Sequence, residues 1–159
     1  MSGAAEVVVR EAGGADAGAV AELRARWTAA DVEDPTFAAR MADWLAAEGE
    51  RRTTWLAWLD DAPVGLASLF EYRRMPKPGR PAEAWGYVGN MFVREDRRDR
   101  GVGTLLLDTL VATADARGYA RLVLSPSLRS LPFYARAGFV PAGEAAGDDR
   151  LLVRPGAAT

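Results

Sequence analysis

The stretch that most limits what this chain can fold into is residues 88–114, VGNMFVREDRRDRGVGTLLLDTLVATA. Residues 88–93 are apolar and β-prone. Residues 94–103 are charged and end in two glycines. From Gly103 onward the spacing turns helical, with Val102, Leu105, Leu106, Leu110 and Ala114 read as one stripe. The order is strand, glycine loop, helix. A helix start leaves backbone N–H groups without partners, and the macrodipole adds partial positive charge behind them. Glycine lets a phosphate come close to that backbone. Arg98 and Arg100 bring positive charge to the same loop, so Arg98-Asp99-Arg100-Gly101-Val102-Gly103-Thr104 reads as a pyrophosphate cradle. The alternative for a bare Gly-x-Gly is a tight strand-to-helix turn. No Lys-Ser or Lys-Thr follows the last glycine, so this is not a Walker loop. The third glycine of the dinucleotide fingerprint is also missing.

Composition narrows the chemistry. The 159 residues contain no cysteine and no histidine. Disulfides, thiolate metal sites and Ser-His or Cys-His nucleophile pairs are therefore excluded, and no metal is called for. Catalysis must use carboxylates, Tyr, Lys, water or backbone. Twenty basic against 22 acidic side chains give a net charge of −2, which does not ask for nucleic acid. No apolar run is long enough to span a membrane. The start, MSGAAEVVVREAGG, lacks a basic region followed by an apolar core, so no signal peptide is expected and the cytoplasm is the default compartment.

Read in order, residues 6–10 form a strand. A helix follows over 17–30, capped by Asp16, with Val20, Leu23 and Trp27 on one side. Residues 31–34 are an acidic connector. Asp34-Pro35 opens a second helix, with Phe37, Met41, Trp44 and Leu45 as its apolar face and Gly49 as its end. Residues 53–59 and 64–72 make a hairpin around a turn at 60–63. Residues 73–83 are a loop, long for a hairpin connection, and 85–94 are the strand that enters the central stretch. Gly86 and Gly89 within it signal a bulge or close approach by another backbone. After the central helix come a strand at 120–125, a helix over 127–137 and short strands at 139–142 and 150–154, with a turn at 147–149. Residues 155–159 read as a frayed tail. The order β-α-α-β-β-β-α-β-α-β-β, without repeat or linker, predicts one domain over 1–159. Its fold class is α/β (α+β): a mixed, mostly antiparallel sheet of six to seven strands with helices on both faces.

The loop pattern of Arg98, Gly101 and Gly103 resembles the acyl-CoA loop of the GNAT superfamily of N-acetyltransferases: Arg or Gln, two residues, Gly, one residue, Gly or Ala. A second piece, Phe133-Tyr134-Ala135-Arg136-Ala137-Gly138-Phe139, is similar to the family's late helix. The element order is also the family's, and the likeness is most specific at 93–104 and 127–139.

The resemblance implies acetyl-CoA as co-substrate. Met91, Phe92 and Val93 would pair their backbone with the pantetheine arm, and one N–H there could polarise the thioester carbonyl. Residues 98–104 would hold the pyrophosphate. Tyr134 would assist the departing thiolate. The alternatives are core side chains at 91–93 and an ordinary half-buried Tyr134. Where many members carry Asn seven residues before this Tyr, the chain has Ser127, either a shorter contact to the arm or a plain helix-entry serine. The base that deprotonates the amine is open between Glu71, a carboxylate of the 31–34 connector, and water. Trp27, Trp44, Tyr72, Trp85 and Tyr87 could wall an acceptor pocket or belong to the core.

The implied function is direct acetyl transfer to the primary amine of a small molecule. A protein acceptor, or a non-catalytic acyl-CoA-binding regulatory module, are the alternatives. Membrane and nucleic-acid partners are not expected, and dimers are common in the family.

Overall fold

The structure is a computed structural model, and it describes residues 6–29, 33–143 and 151–156. Seven strands and four α-helices follow the chain order β1 Val7–Glu11, α1 Ala17–Thr28, α2 Phe37–Glu48, β2 Arg52–Leu59, β3 Ala62–Arg73, β4 Ala84–Val93, α3 Val102–Ala116, β5 Arg121–Leu124, α4 Leu131–Arg136, β6 Val140–Pro141 and β7 Leu152–Pro155. The strands form one sheet in the order β1-β2-β3-β4-β5-β7-β6. β1 runs antiparallel to β2, β7 is antiparallel to both β5 and β6, and β4 with β5 is a parallel pair. The mixed α/β class and the order of elements agree with the sequence reading. The expected turn at 147–149 and part of the acidic connector and tail lie outside the described residues.

The chain divides into two compact units, the described parts of Met1–Ser68 with Asn90–Thr109 and of Leu69–Gly89 with Leu110–Thr159. In the first, the core gathers Val20, Leu23, Leu56, Leu66 and Phe92, with Met41, Leu45 and Trp58 partly buried against it. Fully burying one such side chain stabilises by about 1.5–3 kcal/mol, so this cluster anchors the loop that follows Phe92. Gly65 brings the start of α3 close to β3: a Cβ there would stand 3.0 Å from Leu106 Cδ1 and 3.2 Å from Val102 Cγ1. In the second unit, Gly86 is the corresponding close approach, where a Cβ would lie 2.6 Å from Leu69 Cδ1 and 2.8 Å from Leu122 Cδ2.

Several local expectations are corrected. Asp16 stands at the N-cap position of α1 but makes no side-chain cap bond; its carboxylate turns back and accepts the Gly13 N–H at 2.9 Å, closing a 3₁₀ turn at Gly14–Asp16. α2 starts at Phe37, because Asp34 accepts from the Thr36 N–H and hydroxyl in a local turn and holds residues 34–36 out of the helix. The helix expected over 127–137 is a 3₁₀ turn at Leu128–Ser130 followed by α4, with Pro132 in the first turn. Leu105 is 43% exposed, whereas Val102, Leu106, Leu107, Leu110 and Ala114 are buried.

Candidate functional site

The cofactor loop is built by β4, a 3₁₀ turn at Glu95–Arg97 and the start of α3. Ion pairs hold the turn: Arg94 Nη2 lies 2.8 Å from Asp96 Oδ2, and Arg26 of α1 lies 3.3 Å from Glu95 Oε2. Glu95's own backbone N–H first and then Arg26 keep its carboxyl below the usual range, and Arg94 does the same for Asp96. Arg98 folds back onto the strand, its Nε donating to the Val93 carbonyl at 3.1 Å and its guanidinium 5.9 Å from the Phe92 ring. Asp99 and Gly101 take left-handed backbone, φ 64° and 83°. Intrahelical bonding begins with Leu105 N–H to Gly101 O at 3.1 Å. The N–H groups of Val102, Gly103 and Thr104 therefore have no preceding turn to donate to. A Cβ on Gly101 would meet nothing within 4 Å, so the backbone there faces open space. This is the geometry that an anion needs at a helix start.

β4 itself changes character on the way to the loop. Its recorded ladder with β5 pairs Gly86 with Leu122 and Tyr87 with Val123. Asn90 then adopts φ 54°, a left-handed value that a bulge uses and that Asn tolerates better than most residues. Its Nδ2 donates to the buried Ser68 Oγ at 3.1 Å, which locks the kink. Met91–Val93 lies beyond it. Phe92 points into the core, stacked at 5.7 Å on Trp27, so its side chain is structural, while Met91 and Val93 on either side are partly exposed.

Within the same unit lies a cleft of about 390 Å³. Its walls are Val20, Trp27, Phe37, Met41, Trp44 and Leu66. Its polar groups are Arg24, Arg40, Thr54 and Asn90, and no carboxylate lines it among the described residues. Trp27 and Trp44 are 37% and 36% exposed, and α2 has no fully buried residue; its apolar face is shared, with Phe37, Met41 and Trp44 on the cleft and Met41 and Leu45 also packed against the core. Of the aromatics weighed from the sequence, these two line the cleft. Tyr72 and Trp85 instead pair with each other at 5.0 Å in the second unit. Sequence reasoning missed Arg24, Arg40, Thr54 and Asn90. The signal for Asn90 was present: Gly89-Asn90 is a turn-type pair inside a strand.

Tyr134, Ser127 and Glu71 belong to the second unit. Tyr134 is 6% exposed, edge-on to Phe133 at 5.0 Å and Phe139 at 5.6 Å. Burial, with a smaller contribution from the nearby Tyr87, pushes its phenol up to about 12. The Ser127 hydroxyl donates to Ser130 Oγ at 3.1 Å, and its carbonyl accepts the Ser130 hydroxyl and N–H, so it acts as the entry to the 3₁₀ turn. Glu71 accepts the Tyr119 hydroxyl at 2.7 Å on Oε1 and Arg73 Nε at 2.7 Å on Oε2. The Tyr119 bond, then Arg73, hold its carboxyl below the usual range despite partial burial. A carboxylate with both oxygens engaged and a lowered pKa takes up a proton poorly, so the geometry gives Glu71 the task of anchoring Tyr119. No group of acidic side chains among the described residues is arranged to hold a metal ion.

The model of the acetyltransferase (GNAT) family matches residues 18–139, more than half of the chain. The chain belongs to the GNAT acetyltransferase family. Among its GNAT relatives, a glucosamine 6-phosphate N-acetyltransferase of Trypanosoma brucei brucei is 33% identical over 76 residues, covering 48% of this chain and 50% of the relative. The chain thus aligns with about half the length of that curated protein. The crystal structure of a Trypanosoma brucei acetyltransferase superposes with a TM-score of 0.71 at 26% identity, over 87% of this chain and 95% of that one. A Clostridium acetobutylicum acetyltransferase solved with acetyl-CoA has the same fold, with a TM-score of 0.70 at 20% identity, over 87% and 93% of the two chains. In this GNAT member both motif pieces, the 98–104 loop and the Phe133–Phe139 segment, fall inside the matched residues.

Proposed function

We propose that the protein is an acetyl-CoA-dependent N-acetyltransferase acting on the primary amine of a small molecule. What carries the reading is one compact unit that holds a helix start opening at a glycine with free space, the Met91–Val93 backbone and an aromatic cleft lined by Asn90, the residue just before that backbone. The N–H groups of Val102, Gly103 and Thr104, with Arg100, take the pyrophosphate; Arg98, tied to Val93, shapes the loop and adds charge. The arm runs back along Val93 to Met91, and its thioester end then meets the cleft. A cleft of about 390 Å³ is of the size used for small ligands, which favours a small acceptor over a protein.

The reaction needs no covalent enzyme intermediate. The amine nitrogen attacks the thioester carbonyl carbon, the C–S bond breaks, the proton lost from nitrogen passes to water, and the thiolate takes one back from water or from the Tyr134 phenol, which water then reprotonates. A backbone N–H at Met91–Val93 stabilises the oxyanion. The late-helix motif assigns Tyr134 to the sulfur. With its phenol near 12 it stays protonated at neutral pH, the form that can donate. From there it would hydrogen-bond or protonate the departing thiolate. Ser127 is a shorter-reaching contact for the arm.

The test is stabilisation by ligand. Acetyl-CoA raises the melting temperature by binding the native state, and an amine panel then releases free thiol. Gly101→Ala adds a methyl in the open space and strains the left-handed backbone, costing about 1 kcal/mol of stability and at least about tenfold in acetyl-CoA affinity. A parent protein that shows no shift at millimolar acetyl-CoA is not this enzyme. A shift without turnover of any amine means an acyl-CoA-binding module.

A further inference from the structure

The two arginines of the cleft are not equivalent. Arg40 is engaged on its own helix end: its Nη2 is bonded to the Asp34 carboxylate and its Nε donates to Thr36 Oγ1 at 3.4 Å. Those contacts, Thr36 first, hold the Asp34 carboxyl below its usual range. Arg24 has no carboxylate partner among the described residues. Its guanidinium carbon sits 4.5 Å above the Trp27 ring. A guanidinium stacked on an aromatic face is positioned by that face, and its N–H donors still point outward in their plane, ready for a planar anion.

We infer that the acceptor is a small amine that also carries a carboxylate, on an aromatic or branched aliphatic body, and that Arg24 is the residue that selects it. The inference deepens the acetyl-transfer reading and rests on it. Arg24 binds the carboxylate as a two-pronged pair. The body lies against Trp27, Phe37, Met41 and Trp44, where apolar surface is favoured. Among the described residues, Thr54 and Asn90 are the only neutral polar side chains of the lining, too few for a body rich in hydroxyls, each of which costs free energy when buried without a partner. One cation without a carboxylate partner among the described residues also matches a single negative charge better than the double charge of a phosphate monoester. The absence of a lining carboxylate among the described residues keeps the site from repelling the acid group.

The experiment uses the whole chain with saturating acetyl-CoA and four amines: phenylalanine, phenylalanine amide, phenethylamine and glucosamine 6-phosphate. Thiol release and product mass report turnover. Quenching of tryptophan fluorescence reports binding apart from chemistry, since two cleft walls are tryptophans. Phenylalanine is expected to exceed its amide and phenethylamine by about tenfold or more in kcat/KM, the scale of one charge-assisted bond. Arg24→Gln is expected to erase that preference, and Arg24→Glu to reverse it in favour of phenethylamine, while acetyl-CoA stabilises both variants as it does the parent. Arg24 is exposed, so neither change threatens the fold. Equal or better use of the neutral amines, a preference for glucosamine 6-phosphate, a preference that survives Arg24→Gln, or no amine bound while acetyl-CoA still stabilises would each overturn the inference and leave acetyl transfer standing. Carboxylate-dependent binding without turnover would overturn the acceptor assignment and count against acetyl transfer as well, leaving Arg24 as a carboxylate-binding residue only.

Discussion

At Gly86 a Cβ would stand 2.6 Å from Leu69 Cδ1 and 3.0 Å from Tyr119 Cδ2, whereas at Gly101 it would meet nothing within 4 Å. The first half of β4 and the loop before α3 thus use glycine for opposite reasons. At Gly86 the chain's own side chains already fill the space, and any larger residue must displace them. At Gly101 the left-handed φ of 83° and the empty surroundings leave room for something the chain does not supply. The same contrast separates two buried tyrosines of one unit. Tyr119, 4% exposed, spends its hydroxyl on Glu71 and accepts from Arg117 at 3.4 Å. Tyr134, 6% exposed, has no hydrogen-bond partner for its phenol among the described residues. A polar group that the fold satisfies is structural. One that the fold leaves without a protein partner can still donate to a ligand.

The sharpest way to break the comparison is at Gly86. Gly86→Val forces three packed side chains apart and is expected to lower stability by about 3 kcal/mol, seen as a fall in the urea midpoint with unchanged slope. Gly101→Ala, by contrast, is expected to lose acetyl-CoA binding far out of proportion to its stability. If the two substitutions cost the same stability and both spare acetyl-CoA binding, the distinction between a filled and an open glycine fails.

The next effect is kinetic. Tyr134→Phe removes one hydroxyl and little volume, so folding and acetyl-CoA affinity should barely change. If the phenol bonds the departing sulfur, kcat and kcat/KM fall together by about 10²-fold, roughly 2.7 kcal/mol of barrier. A phenol near 12 does not ionise in the working range. The ratio of parent to mutant rates should therefore stay flat between about pH 6 and pH 10, and steady-state kinetics across that range checks it. A wild-type kcat in the mutant makes Tyr134 a packing residue like Tyr119.

Much of this contrast was legible in the sequence, and the part that was not has a physical cause. Glycine and proline punctuation gave the element order, because those residues limit the backbone by themselves. The cradle was legible because all of its parts are consecutive, from Arg98 to Thr104. Leu105 was misplaced by angle. At about 100° per residue it stands well off the arc that carries Val102, Leu106, Leu110 and Ala114, while Leu107 closes that arc. Asp16 and Asp34 are good caps by type, but a short carboxylate serves whichever N–H is nearest, and here those were Gly13 and Thr36. The cleft was the least legible, since Arg24, Phe37, Thr54 and Asn90 come from four different elements. Only packing brings them together.

The smallest effect tests the structural half of the comparison. Glu71→Gln keeps an acceptor for the Tyr119 hydroxyl but loses the charge, so it should cost about 1 kcal/mol at pH 7. The pH dependence gives the sign. Glu71 has its folded pKa lowered from 4.5, by the Tyr119 bond first and Arg73 after it. Its contribution is fully present above the unfolded value and is lost as pH falls through the folded one. The stability gap between parent and Glu71→Gln should therefore be constant at neutral pH and close below about pH 4.5, which urea midpoints at several pH values will read. Tyr119→Phe should be less than additive with Glu71→Gln, because the two side chains share one bond. Meanwhile kcat at pH 7 should hold. A general base would behave otherwise: its replacement by Gln would remove on the order of 10²-fold or more in kcat. That loss, with a stability gap that ignores pH, would move Glu71 from the filled, structural side of the comparison to the reactive one, and the water route for the amine proton would have to be given up.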